Sequence, residues 1–255
     1  MDKNFPWSIK YDPNSEKPFI MSRSKIDLYL KCKRCAYLDM RLGIKGPKPF
    51  PYNLNSRIDT LLKNEHDLAR TKKIKTKYLE ESNINAVPYT HAELDVWREP
   101  FKAARYHHKE TNIVVVGSVD DLWENLDTKK IHIVDYKSTH TDKFDKLKSF
   151  DAPYLIGYKR QAEIYSWILS KLGLDIDNTS YFFYVNAKPD QEIFNNSLEF
   201  EWAIIPYTTK SYNWVGDTIV EIKNFLETNK IPSSTQDCAL CKYMSKFFEF
   251  IKKKN

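Results

Sequence analysis

Residues Ile113–Thr139 read IVVVGSVDDLWENLDTKKIHIVDYKST, and the parsing of this stretch decides the fold. The run Ile113–Val116 is β-branched throughout and continues through Gly117 into Val119, Asp120, Asp121, Leu122 and Trp123, which is strand composition. A second apolar run, Ile131–Lys137, follows a turn-forming cluster of Asn125, Asp127, Thr128, Lys129 and Lys130. The expectation is a β-hairpin. Alternation along its second strand puts Ile131, Ile133, Asp135 and Lys137 on one side and His132, Val134 and Tyr136 on the other.

A carboxylate and an amine at the end of an apolar face pay a desolvation penalty unless they find partners. Asp135 and Lys137 can pair with each other, with Asp120 capping a turn; alternatively, Asp120 and Asp135 can hold a hard cation such as magnesium, which prefers oxygen ligands. Gly117-Ser-Val-Asp120, an apolar strand and Asp135-Tyr-Lys137 occur together and in order. This combination resembles the catalytic core of the PD-(D/E)XK nuclease superfamily, in particular its RecB-like exonuclease branch, and the resemblance extends over most of the chain.

Outward from that core, Tyr154–Leu172 carries Tyr154, Tyr158, Gln161, Tyr165, Ile168 and Leu172 at spacings of four and three, a helical stripe. Gln161 is the lone amide on it and needs a hydrogen-bond partner, which the backbone could supply. Tyr158-Lys-Arg-Gln161-Ala-Glu-Ile-Tyr165 also resembles the Y-x-x-Q-x-x-x-Y helix of RecB-like nucleases, whose Gln and second Tyr line the active site. Gly173 caps the helix. Strands are expected over Ser180–Val185 and Leu198–Pro206, buried on both faces, and a last long helix over Lys210–Glu227 with Trp214, Ile219, Ile222 and Leu226 inward. Thr139–Pro153, with Lys143, Lys146 and Lys148, reads as a solvated loop that would border a DNA groove if the resemblance holds.

Upstream, residues 1–20 form an irregular lead-in with Phe5 and Trp7 as anchors. Ser24-Lys-Ile-Asp27 has the pattern of a capping box, opening one helix that stops near Gly43. The segment Ser22–Leu38 resembles the opening segment of RecB-like nucleases. After a loop at Gly46-Pro-Lys-Pro49 and Pro51, a second helix is expected from Asn53 or Asn55 to about Arg70. In RecB-like relatives this helix carries a histidine or acid facing the metal. Asp59 stands at that spacing and His66 is the histidine itself, seven residues on and able to share a face; Asp59 is preferred, with His66 and Glu65 kept open beside an ordinary solvated face. One or two strands are expected around Val87–Tyr89 and Glu93–Trp97, and His107-His108 reads as an exposed loop.

Forty Lys and Arg against 34 Asp and Glu leave a charge of +6, which permits nucleic-acid binding without requiring it. No apolar run of about 18 residues suggests a membrane span, and the first residues lack a secretory apolar core, so a cytoplasmic location is expected. At 255 residues the chain is expected to form one α/β domain with a mixed central sheet flanked by helices, spanning 1–255.

The cysteines form two pairs, Cys32-x-x-Cys35 and Cys238-x-x-Cys241. In a reducing compartment they suggest one tetrathiolate centre, a clip made from 24–42 and 232–250; two disulfides rank below it. Paired C-x-x-C motifs are the ordinary signature of structural zinc. Many RecB-like and CRISPR-associated iron-sulfur nucleases instead carry a four-iron, four-sulfur (4Fe-4S) cluster in a one-plus-three cysteine arrangement, from which this two-plus-two chain departs. The resemblance favours the cluster.

The resemblance therefore implies a restriction-endonuclease-like core and a Mg2+- or Mn2+-dependent deoxyribonuclease of DNA repair, recombination or defence. It implies a site in which Asp120 and Asp135, with the Tyr136 carbonyl and Asp59 or His66, hold the ions. Lys137, Gln161 and Tyr165 act on water and phosphate. Implied partners are single-stranded DNA or duplex ends and a helicase or other nucleic-acid-processing protein. A non-catalytic nucleic-acid-binding or complex-stabilising module on the same fold is the alternative.

Overall fold

The computed structural model describes residues 9–47, 50 and 52–254, with the Tyr154 and Lys254 side chains outside the description. The expected anchors Phe5 and Trp7, the prolines Pro49 and Pro51, and the Tyr154 side chain thus lie outside the described residues. In chain order the elements are β1 (Phe19–Ser22), α1 (Arg23–Lys31), α2 (Lys33–Met40), α3 (Asn53–Lys72), α4 (Lys77–Glu81), β2 (Ala86–Pro88), α5 (Leu94–Arg98), β3 (Ala104–His108) and β4 (Ile113–Gly117). Then come β5 (Asp121–Asn125), β6 (Ile131–His140), α6 (Phe144–Leu147), a 3-10 turn at Pro153–Leu155, α7 (Ile156–Lys171), β7 (Thr179–Ala187), β8 (Phe200–Thr208), α8 (Trp214–Glu227) and α9 (Ala239–Lys254).

The chain divides into two compact units. The first combines the described residues up to Pro47 with Arg105–Val116 and everything from Trp214 on. Its sheet has the order β1-β4-β3, with β1 parallel to β4 in the register Phe19↔Ile113. Helix α8 buries Val215, Ile219, Ile222 and Leu226, and Phe225 meets Tyr29 and Tyr37 edge-on. Trp214 is only half-buried.

The second unit, Phe50–Ala104 and Gly117–Asn213, holds a mixed sheet in the order β2-β5-β6-β7-β8. β6 and β7 run parallel and the other pairs antiparallel, as a helical crossover through α7 requires. Alternation on β7 splits the core in two. Phe183 and Val185 pack with Leu62, Trp123, Val134 and Tyr136 on the α3 side. Phe182 and Tyr184 pack with Phe150, Leu155 and Ala162 on the α7 side. Helix α3 ends at Lys73 in the left-handed conformation, and Gly173 (φ +98°) follows α7 where an L side chain would be strained.

Six expectations are corrected. The hairpin is β5–β6 alone, with Leu122 opposite Ile133; Ile113–Gly117 belongs to the three-stranded sheet. The run breaks because Ser118 Oγ donates to the carbonyls of Trp97 and Arg98 and Val119 N–H to that of Trp97, which takes these residues out of either ladder. The first helix is two helices, split at Cys32 in extended geometry (φ −156°). No capping box forms, since Ser22 is the N-cap and the Asp27 carboxylate is taken by Lys31 at 2.7 Å. Glu93–Trp97 lies in a helical turn, α5, whereas His107-His108 closes a strand, β3, instead of lying in a loop. Strand β8 is an edge strand with Phe200 exposed, so the two-sided burial expected of both strands belongs to β7 only.

Candidate functional sites: a carboxylate hairpin and a cysteine centre

The end of β6 carries the first site. Asp135 is buried on the α7 side and forms an ion pair with Lys137 two residues along the same face. Helix α7 delivers Gln161, whose amide donates to Asp135 Oδ1 at 2.6 Å and reaches the Tyr165 hydroxyl at 3.3 Å. The Lys137 ammonium lies 4.7 Å from the centre of the Tyr158 ring, a cation–π contact. Burial pulls the Lys137 pKa down, but Asp135 and Asp120 outweigh it and leave the group above its ordinary value.

Asp120 precedes β5 and is tied to β6 by the Tyr136 N–H, which donates to Asp120 Oδ2 at 2.9 Å. Asp59 approaches from α3: burial and the like charge of Asp120 raise its pKa, while Lys63 lowers it. Lys63 Nζ stands 2.8 Å from Asp59 Oδ2 and 3.5 Å from Asp120 Oδ1. His66 goes elsewhere. It is fully buried, pairs through Nδ1 with the Leu62 carbonyl at 2.9 Å, and stacks on Trp123 with ring centres 5.6 Å apart. Burial depresses its pKa and keeps the ring neutral. Glu65 accepts from the Tyr78 hydroxyl.

Beneath this site lies a buried ion network that sequence reading missed. Fully buried Asp121 accepts from Arg98 at 2.9 Å, from Arg70, and from the Tyr136 hydroxyl at 2.7 Å. Asp67 accepts from both arginines, and Arg98 Nε also donates to the Asp120 carbonyl at 3.0 Å. The Asp120-Asp121 step is therefore clamped through main chain and side chain, as buried charge demands. Gly117 has a packing reason as well: a Cβ there would stand 2.6 Å from Tyr165 Cε1, so only glycine lets that ring reach Gln161. The legible signals were the Asp120-Asp121 doublet and the four-residue step from Asp59 to Lys63.

The second site is the cysteine centre. Each C-x-x-C pair uses one device: Cys32 and Cys238 immediately precede α2 and α9, and Cys35 and Cys241 sit in the first turns. The Ala36 and Lys242 N–H groups donate to the Cys32 and Cys238 carbonyls. Helix N-termini favour thiolates through their dipoles and free N–H groups. Burial pushes the Cys32 thiol up, but hydrogen bonds from the Cys35 and Thr235 backbone and from Cys238 and Cys35 outweigh it and bring it down to about 6. Burial and the surrounding thiols push Cys35 up; burial first, with Cys238 and Cys32, takes Cys241 up to about 11. The Cys35–Cys238 and Cys35–Cys241 sulfurs are 3.5 Å apart and Cys32–Cys241 3.8 Å.

All four cysteine sulfurs lie within 4.8 Å of one another, and among the described residues no other group of three or more candidate ligands converges so closely. Asp59, Asp120 and Asp135 are thus neighbours of a looser kind, each already held by a cation or an amide.

No protein-family model and no curated protein matches the chain. What fold and geometry define is an α/β protein with two sheets flanked by helices and a four-cysteine site able to hold a metal ion. No described helix is long and apolar enough to cross a membrane.

Proposed function

We propose that this protein is a metal-dependent deoxyribonuclease of the PD-(D/E)XK type, with a restriction-endonuclease-like core in the second unit. The carrying observation is the assembly at the end of β6: Asp135 beside Lys137, Asp120 bonded to the Tyr136 N–H, and Gln161 closing on Asp135 from α7. The donor set fits a hard divalent cation, because it consists of carboxylates, and burial together with the like charge of Asp120 raises the pKa of Asp59, a repulsion that a cation would relieve. Asp120 and Asp135 would hold magnesium or manganese, with Asp59 and the Tyr136 carbonyl as further oxygen donors. The bound ion supplies Lewis acidity toward a phosphoryl oxygen and an acidified water.

The remaining work falls to the protein's own groups. Lys137, steadied by the Tyr158 ring, places its ammonium at the phosphoryl oxygens or the attacking water, where it favours developing negative charge. Gln161 fixes the Asp135 carboxylate, and the Tyr165 hydroxyl lies within reach of its amide. DNA, as single strands or duplex ends, is the proposed substrate, in repair, recombination or defence alongside a helicase or similar protein; the exposed Lys143, Lys146 and Lys148 near α6 offer phosphate contacts.

For the cysteine centre we infer a single zinc ion in place of the cluster that resemblance favoured. Zinc–sulfur bonds of about 2.3 Å at tetrahedral angles set sulfurs about 3.8 Å apart, close to the 3.5–3.8 Å of three of the sulfur pairs, with all four within 4.8 Å of one another. A cubane, with iron between each thiolate and the cluster body, needs a wider set. The centre has a structural role.

A second reading, a non-catalytic nucleic-acid-binding module, draws on the fact that Asp135 is closed by Lys137 and Gln161. Purified protein assayed with magnesium or manganese on labelled single-stranded, duplex and flap DNA, and on RNA, separates them. Metal-dependent DNA cleavage abolished by Asp135→Asn supports the nuclease; DNA binding without cleavage under every condition selects the module.

A further inference from the structure

Lys63 lies outside the motifs that carry the nuclease resemblance, yet it stands inside the carboxylate site. It lies one helical turn after Asp59, with the acid on the N-terminal side, the favourable order for an i,i+4 pair. Its ammonium bridges Asp59 Oδ2 at 2.8 Å and Asp120 Oδ1 at 3.5 Å. The other Asp120 oxygen is committed to the Tyr136 N–H, so Lys63 holds the oxygen that Asp120 has left for a cation. The three side chains are 18%, 31% and 24% exposed, shielded enough for their charges to be felt and open enough for an aqueous ion to reach them.

Resting on the metal-binding reading above, we propose that Lys63 is a built-in competitor for the divalent cation: its ammonium occupies the place between Asp59 and Asp120 and is displaced when the ion binds. Charge arithmetic gives the sign. Asp59, Asp120 and Asp135 contribute three negative charges and Lys63 and Lys137 two positive ones, leaving one net negative charge. Without Lys63 the balance is two negative, which matches a divalent ion. The lysine stem is flexible and its ammonium strongly hydrated, so the group can leave for solvent. The lysine thereby keeps the acids apart from their own repulsion while no ion is bound, and sets the cation concentration at which the site fills.

The experiment is Mn2+ binding to the full chain with its cysteine centre filled, followed by the electron paramagnetic resonance signal of free Mn2+ and by titration calorimetry. Lys63→Gln and Lys63→Ala, both good helix formers, are each expected to bind Mn2+ about tenfold tighter or more, on the scale of one unit charge removed at short range. Lys63→Arg is expected to stay close to wild type. The magnesium concentration for half-maximal cleavage should fall in step in the two neutral variants. Equal or weaker Mn2+ affinity in both overturns the competitor while leaving the metal site standing. Absence of Mn2+ binding in wild type and variants alike overturns both.

Discussion

The cysteine centre and the carboxylate hairpin both gather acidic groups, and they manage the charge in different ways. At the cysteines, the four sulfurs converge within 4.8 Å of one another, with helix N-termini as the stabilising partners and no basic side chain among the ligands. At the hairpin, Lys63 and Lys137 stand among the acids, and the carboxylates do not close on a common point. A soft thiol is weakly hydrated and buries readily as a neutral group, whereas an ionised carboxylate leaves water only against a countercharge. One site brings four sulfurs together where they could hold a metal ion; the other keeps its carboxylates paired with internal cations.

The comparison breaks most visibly at the cysteines. Cys238→Ser is expected to lose the metal and lower the melting temperature by more than about 10 °C, since structural zinc contributes on the order of 10 kcal/mol to folding. Metal analysis of wild type should find one zinc per chain in colourless protein; brown protein with about four irons would restore the cluster. A variant with unchanged melting and metal content would end the structural role.

Next comes the network under the hairpin. Asp121→Ala leaves Arg70 and Arg98 with only the more exposed Asp67 carboxylate between them, and should cost about 3–5 kcal/mol in urea unfolding. A loss below about 1 kcal/mol would mean water already screens the network.

Asp135→Asn and Lys137→Met should lower cleavage by about 10²–10³-fold, the loss typical of one transition-state electrostatic group, while circular dichroism stays native. Wild-type rates in both would remove the pair from the chemistry.

The smallest effect separates the two faces of α3. Burial holds folded His66 neutral with a pKa below its ordinary 6.5, so its contribution to stability is present above pH 6.5 and is lost as pH falls through the folded pKa. Unfolding free energy should decline below pH 6.5 by up to about 1.4 kcal/mol per pH unit. His66→Phe should flatten that limb, and an unchanged slope would mean that His66 is not the group responsible.

Asp135, Lys137, Gln161 and Tyr165 were legible because each relation is local: a step of two on a strand, a step of four on a helix. The C-x-x-C pairs were legible for the same reason. The parting of β4 from β5 was not, because only the five residues Gly117–Asp121 separate two strand-like runs, and the carbonyls that accept the hydrogen bonds of the break, those of Trp97 and Arg98, lie some 20 residues upstream. Nothing local marks Arg70 and Arg98 as a pair, because Asp121 is brought to them from 51 and 23 residues away.

The sequence by itself determined an α/β chain, two chelating cysteine pairs and an acid–lysine strand followed by a Gln–Tyr helix, since side-chain periodicity follows from backbone geometry alone. Tertiary structure decided that the cysteine pairs meet, that His66 is core while Asp59 faces Asp120, and that Lys63 stands between the acids. Those outcomes depend on which charges share a low-dielectric space, a property of the packed chain and not of any short stretch.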